Sequence, residues 1–152
     1  MTEEPTKLRA LNLIEKILAM ATNVFVIVGI FFAFAQLRAA KQSEKIQNAI
    51  NAINQTRSSD FLKAYARIKT ATQTKQADDR VTLIDDLNYV MNTYDNAALL
   101  YIKDRADRCM IKEATFSTVQ ELPAICETLS YPEAYRSNLN NFLQQMTAER
   151  CD

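Results

Sequence analysis

Three cysteines, Cys109, Cys126 and Cys151, and two acidic pairs, Asp78-Asp79 and Asp85-Asp86, are the side chains of this sequence best suited to chemistry. A cysteine acts as a nucleophile only as its thiolate, which a nearby cation or a helix N-terminus favours. Cys109 stands beside Arg105 and Arg108 at a predicted helix start, so it is a better candidate than Cys126. Without a histidine anywhere in the chain, a cysteine-protease arrangement lacks its base. An odd number of cysteines without framework spacing reads as unpaired thiols in a reducing compartment. The four aspartates offer oxygen ligands to a hard cation. They equally suit the first turn of a helix, where the positive dipole end favours carboxylates. General acid–base work by paired carboxylates needs a pocket that raises one pKa, and no residue pattern indicates one. The reading is therefore no catalytic residue, no metal ligand and no cofactor.

Composition excludes more. The chain has 152 residues, one Gly, no His and no Trp. A single glycine leaves no glycine-rich phosphate loop. The absence of His removes imidazole bases and imidazole metal ligands. Eighteen basic residues balance eighteen acidic ones, whereas a nucleic-acid binder needs a basic face. No nucleic-acid partner is expected.

The strongest signal is an uncharged run from Ile17 to Ala35, ILAMATNVFVIVGIFFAFA, whose only polar side chains are Thr22 and Asn23. At about 1.5 Å per residue it reaches roughly 28 Å, close to the hydrocarbon thickness of a bilayer. A soluble core helix apolar on all sides would need neighbours on every side, and the other residues are needed for their own core. A surface amphipathic helix needs a polar face that this run lacks. A cleaved leader is the remaining rival: Ala33-Phe34-Ala35 matches the A-x-A pattern, and Lys7, Arg9 and Lys16 precede the run. The run is longer than a leader's apolar region, and Glu3, Glu4 and Glu15 dilute the basic flank. The expectation is a single transmembrane helix in the inner membrane. Lys7, Arg9 and Lys16 lie before it, and Arg38, Lys41, Lys45 and Arg57 after it. That slight bias predicts a cytoplasmic C-terminal domain.

Past Gln36 there is no glycine, so tight hairpin corners are missing. The fold is read as all-α, divided into a short N-terminal segment (1–16), the span (17–36), a helical extension (37–57) and a helical bundle (58–152). In the extension, Ile46, Ile50 and Ile53, with Ala49, form a thin apolar stripe. Ser58, Ser59 and Asp60 offer caps for a helix with Phe61, Tyr65 and Ile68 on its apolar face and Leu62 alongside. Thr70 to Ala77 reads as a connection, with the next helix starting at Asp78 or Asp79. Its stripe is Val81, Ile84, Leu87, Met91, Tyr94, Ala98 and Ile102. Asp107 is a predicted cap for a helix carrying Ile111, Thr115, Val119 and Leu122, and Pro123 predicts a kink or stop. Ser130-Tyr131-Pro132-Glu133 reads as a start with proline in the first turn. Tyr131, Tyr135, Leu139, Phe142, Leu143 and Met146 follow as an amphipathic stripe.

Four segments carry a resemblance: the apolar span before Gln36-Leu37-Arg38, the segment RSSDFL from Arg57, Leu87-Asn88-Tyr89 with Tyr94-Asp95, and the corner from Asp104 to Ile111. Over roughly residues 17 to 130 the chain resembles a bacterial family of small membrane-anchored helical proteins classed as a domain of unknown function. The resemblance implies an N-terminal anchor, a polar helical extension and a small bundle, and it carries no catalytic residues. Proteins of similar layout are associated with phage defence.

Two groups of residues are expected to work at the membrane. Arg38, Lys41 and Lys45 line one helix face just beyond the span and suit anionic lipid headgroups. Asn23, Gly29 and Ala33 suit association between spans, through an amide seeking a partner and a small-xxx-small pair. The expected partners are the lipid bilayer, a second copy of the chain and an unidentified protein. The function read from these features is a non-enzymatic, membrane-anchored interaction module that self-associates through its span. A membrane-perturbing effector in phage defence or stress, and an enzyme of unrecognised type, are the alternatives. The module predicts partner binding by the bundle. The effector predicts toxicity lost with Asn23→Leu or Gly29→Leu. The enzyme predicts a concave pocket with at least two ionisable residues.

Overall fold

The computed structural model describes residues 4–74 and 80–151. Among them are five helices and no strand: α1 (Glu4–Thr56), α2 (Ser59–Thr74), α3 (Arg80–Ile102), α4 (Arg108–Thr128) and α5 (Glu133–Ala148). The all-α expectation is met. The chain divides into two compact units, Met1–Gln42 and Ser43–Asp152. Residues 43–56, the last turns of α1, thus fall in the same unit as α2 to α5.

In the first unit, α1 is helical through the whole uncharged run. The Thr22 hydroxyl donates back to Leu18 O at 2.9 Å, so this polar side chain is satisfied within its own helix.

The second unit is a bundle in which α3 packs against α2, α4 and α5, and α4 also packs against α2 and α5. Its core is built at helical spacing. Phe61, Ala64 and Ile68 come from α2, and Leu87, Val90, Met91, Tyr94, Ala98 and Tyr101 from α3. Helix α4 contributes Ile111, Thr115, Val119 and Leu122, and α5 contributes Leu139, Phe142 and Met146. Phe61 meets Tyr94 edge-on at 5.5 Å, and Tyr101 meets Phe142 edge-on at 5.3 Å, an arrangement the ring quadrupoles favour.

Several local expectations need correction. Helix α2 continues through Thr74 where a connection was expected from Thr70. Thr72 and Thr74 each donate a hydroxyl to a carbonyl of the preceding turn, so threonines that look like linker residues serve inside the helix. Asp78 and Asp79 lie outside the described residues. At the start of α3 the stripe is shifted. Leu83 is buried while Val81 and Ile84 are exposed, so the covered face at this end of α3 runs through Leu83, Asp86 and Leu87. Leu62 is likewise exposed.

Pro123 does not stop α4, which runs on to Thr128. Ile125 and Cys126 beyond the proline are buried, and that packing offsets the lost backbone bond. Ser130 does not cap α5. It takes a left-handed φ of 54° at the end of α4, and Pro132 occupies the N-cap position without a side-chain bond. Asp107 does cap α4, accepting from Met110 N at 3.0 Å. Ser58 fills the same role for α2, accepting from Phe61 N at 3.2 Å.

The corner between α3 and α4 has no glycine, and Asp104 supplies the left-handed residue at φ 53°. Aspartate is one of the few side-chain-bearing residues that tolerate this conformation. Arg108 then closes the corner, its Nε donating to Tyr101 O at 3.0 Å.

Candidate functional site

Two surfaces stand out, one in each unit. In the first, the helix from Ile17 to Phe34 carries twelve large apolar side chains, all exposed. No part of its most apolar stretch is buried, and it is the one described helix long and apolar enough to cross a membrane. Fully burying one such side chain stabilises by about 1.5–3 kcal/mol. Twelve left in water forgo on the order of 20 kcal/mol. Net domain stability is only about 5–15 kcal/mol. These side chains have no apolar cover among the described residues.

Asn23, Gly29 and Ala33 are all exposed on this helix. A side chain added at Gly29 would meet nothing within 4 Å. At about 100° per residue, Gly29 and Ala33 share a face, whereas Asn23 lies about 120° away from Gly29. The three sequence candidates thus define two faces rather than one.

In the second unit, the last turns of α1 meet the α3–α4 corner. The isoleucine stripe expected there is not the buried face. Ala49, Ala52 and Thr56 are buried, while Ile46 and Ile50 remain exposed at the edge. Small side chains allow this helix to approach the corner closely. Asp107 N donates to Lys45 O at 3.0 Å, and Asn48 Nδ2 donates to Arg105 O at 2.7 Å. Lys45 Nζ pairs with Asp104, which holds that carboxyl below its ordinary range. The basic ridge is thereby divided: Lys45 is engaged by Asp104, and Arg38 and Lys41 are exposed.

Ile50 and Ile53, with Asn54 and Arg57, form one wall of an open groove of about 500 Å³. Met110, Glu113 and Ala114 of α4 form the other. Its lining mixes the apolar Ile50, Ile53, Met110 and Ala114 with Asn54, one cation and one anion, a combination that can receive a partner's amphipathic helix. The sequence signal for it was the apolar stripe of Ile46, Ile50 and Ile53 with Ala49.

A smaller cleft of about 330 Å³ is lined by Asp60, Lys63, Ala64, Arg67, Asp86 and Tyr89. It contains ionisable residues, as an enzyme would need. Yet Arg67 donates to both Asp86 oxygens at 2.6 Å, so that carboxylate is occupied by a structural pair between α2 and α3. No group of metal-ligating side chains occurs among the described residues. Asp85 is exposed. A parallel tie joins α2 to α4: Tyr65 OH donates to Glu121 at 2.8 Å and Lys69 Nζ donates to it at 2.6 Å.

The cysteines are where sequence reasoning went furthest astray. Cys109 and Cys151 form a disulfide, with Cα atoms 5.5 Å apart and a sequence separation of 42. Only Cys126 is a free thiol. It is buried, its Sγ lies 3.9 Å from Met91 Sδ, and burial pushes its pKa up.

The fold and its surfaces define a class: one unit is a helical bundle, and the other is a long apolar helix with exposed side chains. The chain belongs to a family described as a domain of unknown function, DUF4760, whose model matches residues 23–148. Neither the curated proteins nor the solved structures give a match.

Proposed function

We propose that this protein is a membrane-anchored helical interaction module: α1 crosses a bilayer, its spans associate, and the second unit binds a protein partner. The exposed apolar helix from Ile17 to Phe34 carries this reading, because a bilayer supplies the missing apolar contact on every side. The family match supports an uncleaved span. It begins at Asn23, so cleavage after Ala35 would remove part of the matched domain. Three basic residues before the span and four after it favour a cytoplasmic second unit in the inner membrane, with Arg38 and Lys41 at lipid headgroups. The groove between Ile53 and Met110 is the surface we assign to the partner.

The test uses the full chain in membranes, washed with alkaline carbonate. Retention in the pellet, with the intact mass, is expected. Release into the supernatant, or a mass consistent with cleavage after Ala35, overturns the reading. The native cysteines are poor probes of orientation, since two are paired and one is buried. Leu62→Cys on α2 places a thiol at an exposed site instead. Labelling by an impermeant maleimide only after permeabilisation is expected for a cytoplasmic unit.

A further inference from the structure

We propose that Cys109 and Cys151 are a reversible thiol–disulfide clasp that fastens the C-terminal tail to the start of α4. The structure holds the pair closed. Two contacts that involve no sulfur place the tail on the same turns of α4. Lys112 Nζ donates to Glu149 O at 2.7 Å, and Arg108 Nη1 pairs with Glu149 Oε2 at 3.3 Å. These contacts keep Cys151 near Cys109 when the sulfurs are apart, which makes closure effectively intramolecular.

The two sulfurs also differ in a useful way. Cys109 is the second residue of α4, at its positive end and next to Arg108, where an anionic sulfur is favoured. Cys151 lies outside helix, beyond Ala148, two residues past the Glu149 contacts. Both are partly exposed, whereas Cys126 is buried and stays out of the exchange.

A low-molecular-weight disulfide is the oxidant. The Cys109 thiolate attacks one of its sulfurs and expels the other half as a thiolate, leaving a mixed disulfide on Cys109. The Cys151 thiolate then attacks the Cys109 sulfur and expels the second half. Two protein thiols become one disulfide, one small disulfide becomes two small thiols, and the protons pass from the protein thiols to them. The clasp as a switch rests on the cytoplasmic placement proposed above, since only a reducing compartment opens it.

The full chain in lipid nanodiscs is equilibrated with mixtures of reduced and oxidised glutathione, quenched with acid, and alkylated under denaturing conditions with a mass-tagged maleimide. Excess reduced glutathione should add two tags per chain, mapped to Cys109 and Cys151, and excess oxidised glutathione should remove both. Cys126 should be tagged in each state. Cys151→Ser should trap glutathione on Cys109. A pair that stays closed in excess reduced glutathione is a fixed staple and overturns the switch. Glutathione adducts without pairing in the unaltered chain, or no adduct on Cys109 in Cys151→Ser, overturns the clasp. The same tagging in acid-quenched cells separates this from the anchoring proposal. Complete closure without oxidative stress overturns the switch and reverses the orientation, yet leaves carbonate-resistant membrane association standing.

Discussion

Phe25 and Phe61 are both phenylalanines on helices of one chain, yet Phe25 is 76% exposed and Phe61 only 2%. The first belongs to the unit that ends at Gln42, the second to the unit that begins at Ser43. The difference lies in the pattern around them. Near Phe61 the apolar residues recur at threes and fours, so the polar remainder can face water while Phe61, Ala64 and Ile68 face α3 and α4. From Val24 to Ala35 no side chain is polar, and no orientation of the helix hides them all. One unit solves its hydrophobic problem internally. The other passes it to the surroundings.

The comparison breaks if disturbing one unit also disturbs the other. The largest effect is expected from Phe142→Ala, which empties a fully buried aromatic site against Tyr101. It should destabilise the second unit by about 3–5 kcal/mol, read as a lower unfolding midpoint in detergent, while carbonate-resistant pelleting persists. Ile27→Arg should do the reverse. A central arginine costs about 2.5–3.5 kcal/mol on insertion, so the chain should shift from pellet to supernatant with the melting of the bundle unchanged.

Smaller perturbations sharpen the boundary. Asp107→Ala removes the α4 cap and should cost about 1 kcal/mol by denaturant titration, with no change in membrane retention. Asn23→Leu should weaken span–span association by about 1 kcal/mol, read by energy transfer between labelled copies in nanodiscs. Gly29→Leu tests the separate face, and equal losses from both would contradict the two-face geometry.

The mildest effect concerns pH. Hydrogen bonds from Lys69 and then Tyr65 hold the Glu121 carboxyl below its ordinary value of 4.5. Its folded pKa is lowered, so its contribution is complete above that ordinary value and is lost as pH falls through the folded one. The group is exposed, so screening keeps the effect small. Glu121→Gln should flatten the acid limb of the stability curve slightly, without altering membrane retention.

Much of the second unit was legible in sequence because it rests on local rules. The α4 stripe, the α5 stripe from Leu139 onward (the Tyr135 side chain lies outside the described residues), the α3 stripe from Leu87 to Ala98 and the Asp107 cap are set by neighbours within a turn or two. The failures lie where distant residues decide. Of the α1 stripe, Ala49 is buried but Ile46 and Ile50 are not; the close approach of the α3–α4 corner, held by Lys45 to Asp104 and Asn48 to Arg105, buries the small Ala49 and Ala52. Leu62 and Val81 face water while Phe61 and Leu83 close by are buried, because the packed neighbours decide which side of a helix is covered. The two clefts were not foreseen at all, since each is lined by two helices.

What the sequence by itself determined is the helical character of the chain and the uncharged run that needs an apolar environment. Composition and spacing act within a single helix, and no partner is required to read them. Only the tertiary structure decided that Cys109 and Cys151 meet across 42 residues, that α4 runs past Pro123, and that Arg67 takes up Asp86. Each depends on packing that brings separated segments together, where burial and charge pairing outweigh local preference.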